Sequence, residues 1–99
     1  KKITSLLKDV ENNSSHWDQF ASHFDELNDG FFSRLKSKHP DLSRNDLKVC
    51  AYLRLNFTTK QIAQLQSISV RGTEIHRYRL RKKLALPTDI SINSYLETI

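Results

Sequence analysis

Apolar positions recur at helical spacing along nearly the whole chain. Trp17, Phe20, Phe24 and Leu27 follow one another at intervals of three, four and three, the stripe of a helix with one buried face. Ser14 or Ser15 stands where a helix cap belongs, and Gly30 is placed to end the element. Phe31, Phe32 and Leu35 begin a second short helix. It must stop before Pro40, because the proline drives His39 out of the helical region. Ser43 with Asp46 is a capping-box pattern that opens a helix carrying Leu47, Cys50, Ala51, Leu53 and Leu55. At the front, Ile3, Leu6, Leu7 and Val10 make a stripe ending near Asn12 and Asn13. That stripe reads either as the tail of a coiled coil or as a helix lying on the domain, since heptads must be sustained to be diagnostic.

The densest information lies in residues 58–84. Thr58 and Gln61 repeat the capping-box pattern, and Ile62, Ala63 and Leu65 give the buried side of a helix of about two turns. Small Ala63 allows a neighbouring helix to come close. Ser67, Ile68 and Ser69 interrupt the pattern, with Ile68 as an apolar anchor in the bend and Ser69 as cap for a new helix over residues 70–84. That helix spans roughly 22 Å. Thr73, Leu80 and Leu84 share its inner side; Arg71, Ile75, Tyr78 and Lys82 fall opposite, flanked by Glu74 and Arg79. After Leu84 the run Leu86, Pro87, Thr88, Asp89 is a turn, and Ile92, Tyr95, Leu96 and Ile99 mark a last helix.

Composition narrows the function. The 99 residues, 37% apolar and 27% charged, suit one small all-α bundle and leave no room for a large catalytic cleft. Net charge is +5, and residues 71–83 hold seven basic side chains, His76 among them, against the single carboxylate of Glu74. Basic charge gathered on one helix suggests a polyanionic partner. A solvated basic helix with stray apolar residues would show the same run, so position matters more than charge: Ile75 and Tyr78 point away from the core, where one can meet a thymine methyl and the other a base edge or phosphate.

Other chemistries find no support. The histidines at 16, 23, 39 and 76 are dispersed without the i, i+4 pair of zinc-binding helices, no serine has the glycine-flanked setting of a nucleophile elbow, and two glycines cannot build a phosphate loop. No catalytic residue, metal or cofactor is expected, and no small-molecule ligand. The aromatic stripe is explained by packing. Cys50, the only cysteine, reads as a buried structural thiol, consistent with a reducing cytosol. No apolar run reaches membrane-spanning length and no signal peptide is visible, so a cytoplasmic location is expected. The chain opens Lys1, Lys2, Ile3 and contains no methionine, which suggests a piece of a longer polypeptide whose sensor or membrane anchor would lie upstream.

Leu42 and Ser43, Asp46, the run Lys60, Gln61, Ile62, Ala63, then Ile68 and Ser69, and finally Arg81, Lys82, Lys83, Leu84 resemble the helix-turn-helix of the LuxR/GerE (NarL-type) bacterial transcription regulators. The likeness runs without a gap over residues 42–86. A narrower one takes in Trp17, Phe20, Phe24, Phe31, Phe32, Leu35, Pro40, Leu42, Cys50, Ala51, Leu55, Asn56 and residues 77–84. Together these are similar to the C-terminal segment of bacterial sensor-regulators with a sensory β-propeller, a triple-tyrosine (YXYXY) domain and a membrane span, or with tetratricopeptide repeats. The resemblance implies a four-helix domain over residues 41–99, preceded by two or three N-terminal helices: a linker or coiled-coil stub at 1–13 and an aromatic-rich extension at 14–40. It places base-reading positions at Glu74, Ile75 and Tyr78, and phosphate contacts at Thr59, Lys60 and the basic helix, with Arg71, Arg79 and Lys82 as candidates. The sequence departs from the family at Glu74, where many members are basic, and at Val70 and Gly72, where proline and serine or threonine are common.

The expected function is therefore sequence-specific binding of double-stranded DNA, as a homodimer, under control of an upstream sensory domain of the same polypeptide. The competing reading is a protein-interaction or oligomerisation module whose basic helix binds an acidic partner or that sensor.

Overall fold

The computed structural model describes residues 10–99, and in these the secondary structure is entirely helical. Residues 10–12 are helical; six further helices follow: α1 (Ser14–Leu27), α2 (Phe31–Lys38), α3 (Arg44–Arg54), α4 (Thr59–Gln66), α5 (Val70–Lys83) and α6 (Ile92–Glu97). Among the described residues, no helix is long and apolar enough to cross a membrane. Of the N-terminal stripe, Ile3, Leu6 and Leu7 lie outside the described residues, while Val10 packs against the core.

Local chemistry explains most boundaries. The two capping boxes form as their sequences require: Ser43 accepts from the Asp46 amide at 3.1 Å while Asp46 accepts from the Ser43 amide at 2.9 Å, and Thr58 and Gln61 do the same at 3.1 and 2.9 Å. Ser69 caps α5 by accepting from the Gly72 amide at 2.9 Å. His39 leaves the helical region at φ −134°, as the proline behind it demands. The start of α1 differs from expectation: Asn13, not Ser14 or Ser15, is the cap, accepting from the His16 amide at 3.1 Å. The last helical residue is Leu27, but Gly30 closes the end as expected, its amide returning to the Asp25 carbonyl at 2.8 Å, and from the left-handed region at φ 73° it also begins α2.

One core joins all six helices. Phe24 lies within 6 Å of Phe20, Phe31 and Phe32, centroid to centroid, and Trp17 carries this ring cluster to Tyr52 on α3 at 6.3 Å, edge to face. Leu35, Leu42, Val49, Cys50, Ile62, Leu65, Leu80 and Leu96 complete the interior. Leu27 does not join it: although in phase with Phe24 and Phe20, it is 84% exposed, because the chain turns at Asn28 and α2 folds back over the earlier part of the stripe. Leu55, the C-cap of α3, is likewise exposed. Tyr52, absent from the expected core list, is its largest fully buried side chain.

The helices that present α5 are tied from several sides. α4 packs on α5, and α6 packs on α3, where Asn93 donates to the Leu53 carbonyl at 2.9 Å and Tyr95 hydrogen-bonds His39 at 2.7 Å.

Candidate nucleic-acid interface

The corner before α5 is built from backbone. Ser67 ends α4 in the left-handed region at φ 55°, and the Ile68 amide returns to the Ala63 carbonyl at 3.0 Å, the helix-ending hydrogen bond that turns the chain sharply. Ile68 itself is 37% exposed, so its side chain is only partly withdrawn from water, and the backbone hydrogen bond adds to its hold on the bend. Ser69 then starts α5. Thr73 and Leu80 on α5 and its cap residue Leu84 are buried, and Thr73 satisfies its hydroxyl on the Ser69 carbonyl at 3.2 Å. The inner face is thus fixed as the phase predicts.

Seating that face brings the outer one into water. Ile75 is 39% exposed and Tyr78 59%, and Glu74, Arg71, Arg79 and Lys82 are exposed around them. Lys82 lies with its Nζ 4.7 Å above the Tyr78 ring, a cation–π contact that holds both side chains along the same strip of surface. Val70, 44% exposed, extends the strip toward the corner. Lys60 is exposed in the first turn of α4. The outward strip of α5 therefore alternates apolar or aromatic groups with cations.

Thr59 has a different setting. It is half-buried, and its hydroxyl oxygen accepts from Arg77 Nη1 at 2.5 Å, leaving its own O–H to donate. Arg77 and Arg81 were not among the expected site residues, yet with Thr59, Glu74, Tyr78, Ser91 and Ile92 they line an open groove of about 350 Å³ along the flank of α5. Their signal was present in the helical phase: Glu74, Arg77 and Arg81 follow at spacings of three and four. Arg81 also donates to the Pro87 carbonyl at 2.5 Å, fastening the turn after α5.

Lys83 turns the other way. Its Nζ meets Asp46 Oδ2 at 2.6 Å, joining the C-terminal end of α5 to the first turn of α3. Burial would raise the Asp46 carboxyl, but hydrogen bonds from Lys83 and Ser43, with the Lys83 charge, hold it below the ordinary carboxylate value. The same bond raises the Lys83 ammonium. His76, on the partly buried side, has its Nδ1 enclosed without a hydrogen-bond partner among the described residues.

Among the described residues there is no group of three His, Cys, Asp or Glu side chains placed to hold a metal ion. Cys50 is buried, and desolvation, with the nearby Asp46 charge second, pushes its thiol up to about 12, so it stays protonated and inert. No family model, curated protein or solved structure matches the chain.

Proposed function

We propose that this chain is a sequence-specific double-stranded DNA-binding module of the LuxR/GerE helix-turn-helix type, the output domain of a bacterial transcription regulator. One observation carries the reading: α5 buries Thr73 and Leu80 completely while presenting Ile75 and Tyr78 to solvent on a cation-lined strip. A helix displayed in this way fits the major groove, about 12 Å wide, with a tight corner and a supporting helix behind it. Glu74, Ile75 and Tyr78 read base edges. Lys60, Arg71, Arg79 and Lys82 neutralise phosphates, Thr59 donates its free O–H to one, and Arg77 and Arg81 support the flank. The chain acts as a homodimer on half-sites about one helical turn apart, controlled by a sensory region of the same polypeptide.

The test is selection of bound sequences from a random duplex pool at near-physiological salt with competitor DNA. The expected result is a two-fold-related motif with half-sites about ten base pairs apart. Lys82→Ala should then weaken binding to every duplex and lower the salt slope by about 0.9, whereas Tyr78→Ala should relax sequence preference. Salt-sensitive binding without enrichment would reduce α5 to an electrostatic patch. No binding would favour the interaction-module reading, with Ile75 and Tyr78 as protein contacts.

A further inference from the structure

The least exposed ion pair among the described residues, Glu11 with Lys48, shares no residue with the outer face of α5. Glu11, in the helical turn at residues 10–12, sits between α3 and the end of α4, and its side chain is only 12% exposed. Tyr52 donates its hydroxyl to Glu11 Oε1 at 2.5 Å. Lys48 approaches Oε2 at 3.4 Å and donates to the Glu11 carbonyl at 3.0 Å, with its own side chain only 13% exposed. Gln66, the last residue of α4, directs its amide to Oε1 in a longer contact of 3.5 Å and to Asn45 on α3 at 3.0 Å. Lys48 also lies 5.4 Å from the Trp17 ring centroid, which brings α1 into the same seat.

Three features set this cluster apart from an ordinary surface bridge. Its charges are largely withdrawn from water, so each depends on its partners. Tyr52 is fully buried, and both desolvation and the hydrogen bond to Glu11 raise its hydroxyl far above the ordinary tyrosine value, keeping it a donor. The contacts also converge on the residue next to the corner: Ser67, in the left-handed region, follows Gln66 directly, and Ser69 caps α5 two residues later.

We propose that Glu11 is a latch: its seat on Lys48, Tyr52 and Gln66 couples the position of the entering chain to the α4–α5 corner, so that displacing residues 10–12 loosens the start of α5. A pull or twist on the preceding chain would withdraw the carboxylate, strand Lys48 and the Tyr52 hydroxyl in a dry site, and free Gln66 from one of its two acceptors. The corner, held by the Ser67 and Ile68 backbone bonds, is the next point to yield. The coupling does not depend on what the outer face of α5 binds.

Amide hydrogen exchange and Trp17 fluorescence on the full chain test this, with Glu11→Ala, the milder Glu11→Gln, and Gln66→Ala. Glu11→Ala should shift Trp17 emission and speed exchange of the Ser67 and Ile68 amides at least tenfold, with Leu84 at the far end of α5 unchanged. Glu11→Gln keeps an acceptor for Tyr52 but loses the charge facing Lys48, and should fall between Glu11→Ala and wild type; it also serves if the alanine variant does not fold. Gln66→Ala should speed the same two amides and leave Trp17 emission unaltered, and adding it to Glu11→Gln should produce less than the product of the separate effects. Independent, multiplicative effects would overturn the proposal. So would acceleration shared equally by Ser67, Ile68 and Leu84, which would make Glu11 a contributor to global stability only, and so would an unchanged corner.

Discussion

Asp46 joins two functions of the fold, and removing it should cost stability in a way that pH reveals. Its carboxylate accepts from the Ser43 amide at 2.9 Å, completing the cap of α3, and from Lys83 at 2.6 Å, fastening the end of α5. In Asp46→Ala the Ser43 amide loses its partner. Because Ser43 is exposed, water can take over part of that bond, which puts the loss at about 1 kcal/mol, within the usual range for a helix cap. The bridge adds a smaller, salt-screened contribution, since the Lys83 side chain is 37% exposed. For a domain of this size, about 1 kcal/mol lowers Tm by roughly 4–8 °C.

The sign of the pH dependence follows from the depressed carboxyl. A group whose pKa is lower in the folded protein contributes stability that is complete above its unfolded value, near 3.8, and is lost as pH falls through the folded value. Thermal melts followed by circular dichroism should therefore show a gap between wild type and Asp46→Ala that is widest at pH 7 and narrows as the pH falls below about 3.8, where the protonated carboxyl keeps only a neutral acceptor for the Ser43 amide. Asp46→Asn, which retains an acceptor for the Ser43 amide, should lie between them at neutral pH. A gap that does not narrow as the pH falls would refute the electrostatic account, and no gap at pH 7 would refute the capping account as well.

Three further variants probe the placement of particular side chains. Gly72→Ala removes a helix penalty of up to about 1 kcal/mol but brings a Cβ to 3.3 Å from the Ser69 hydroxyl; a small net gain in Tm is expected, and a fall would show that the cap cannot yield. Leu27→Gln, at a position 84% exposed, should change urea-unfolding stability by less than about 0.5 kcal/mol, whereas Phe24→Ala, in the ring cluster, should lose about 3–5 kcal/mol. A large effect of Leu27→Gln would place that residue in contact with another surface.

These contrasts show which features were legible in the sequence. Capping boxes are local, so Ser43 with Asp46 and Thr58 with Gln61 announce the starts of α3 and α4, and the faces of α5 follow from phase once Thr73, Leu80 and Leu84 are taken as its inner side. Asn13 was overlooked because two serines beside it offered the same cap chemistry; only backbone conformation decides among the three. Leu27 shares the phase of Phe24, but phase says nothing about how far along a helix the covering neighbours extend, and Leu27 is left 84% exposed. Glu11 and Tyr52 are forty-one residues apart, and no periodicity links a glutamate at the chain's entry to a tyrosine on α3. Buried polar networks are properties of the assembled packing.

The cations of α5 show how far charge alone can mislead. Six Lys and Arg side chains lie in the segment from Arg71 to Lys83, and a count would assign them all to a polyanion. The fold divides them: Lys83 is paired with Asp46, Arg81 holds the Pro87 carbonyl and Arg77 holds Thr59, while Arg71, Arg79 and Lys82 remain on the exposed side. Among the described residues none of these last three is paired with a carboxylate, and Lys82 is oriented by the Tyr78 ring. The inward half of the charge ties α5 to α3, α4 and the following turn, which holds in place the helix that carries the outer face. For the proposed DNA-binding role a helix fixed in place matters more than further cations would, because phosphate attraction is indifferent to sequence whereas hydrogen bonds and methyl contacts in a groove depend on where the helix presents its side chains.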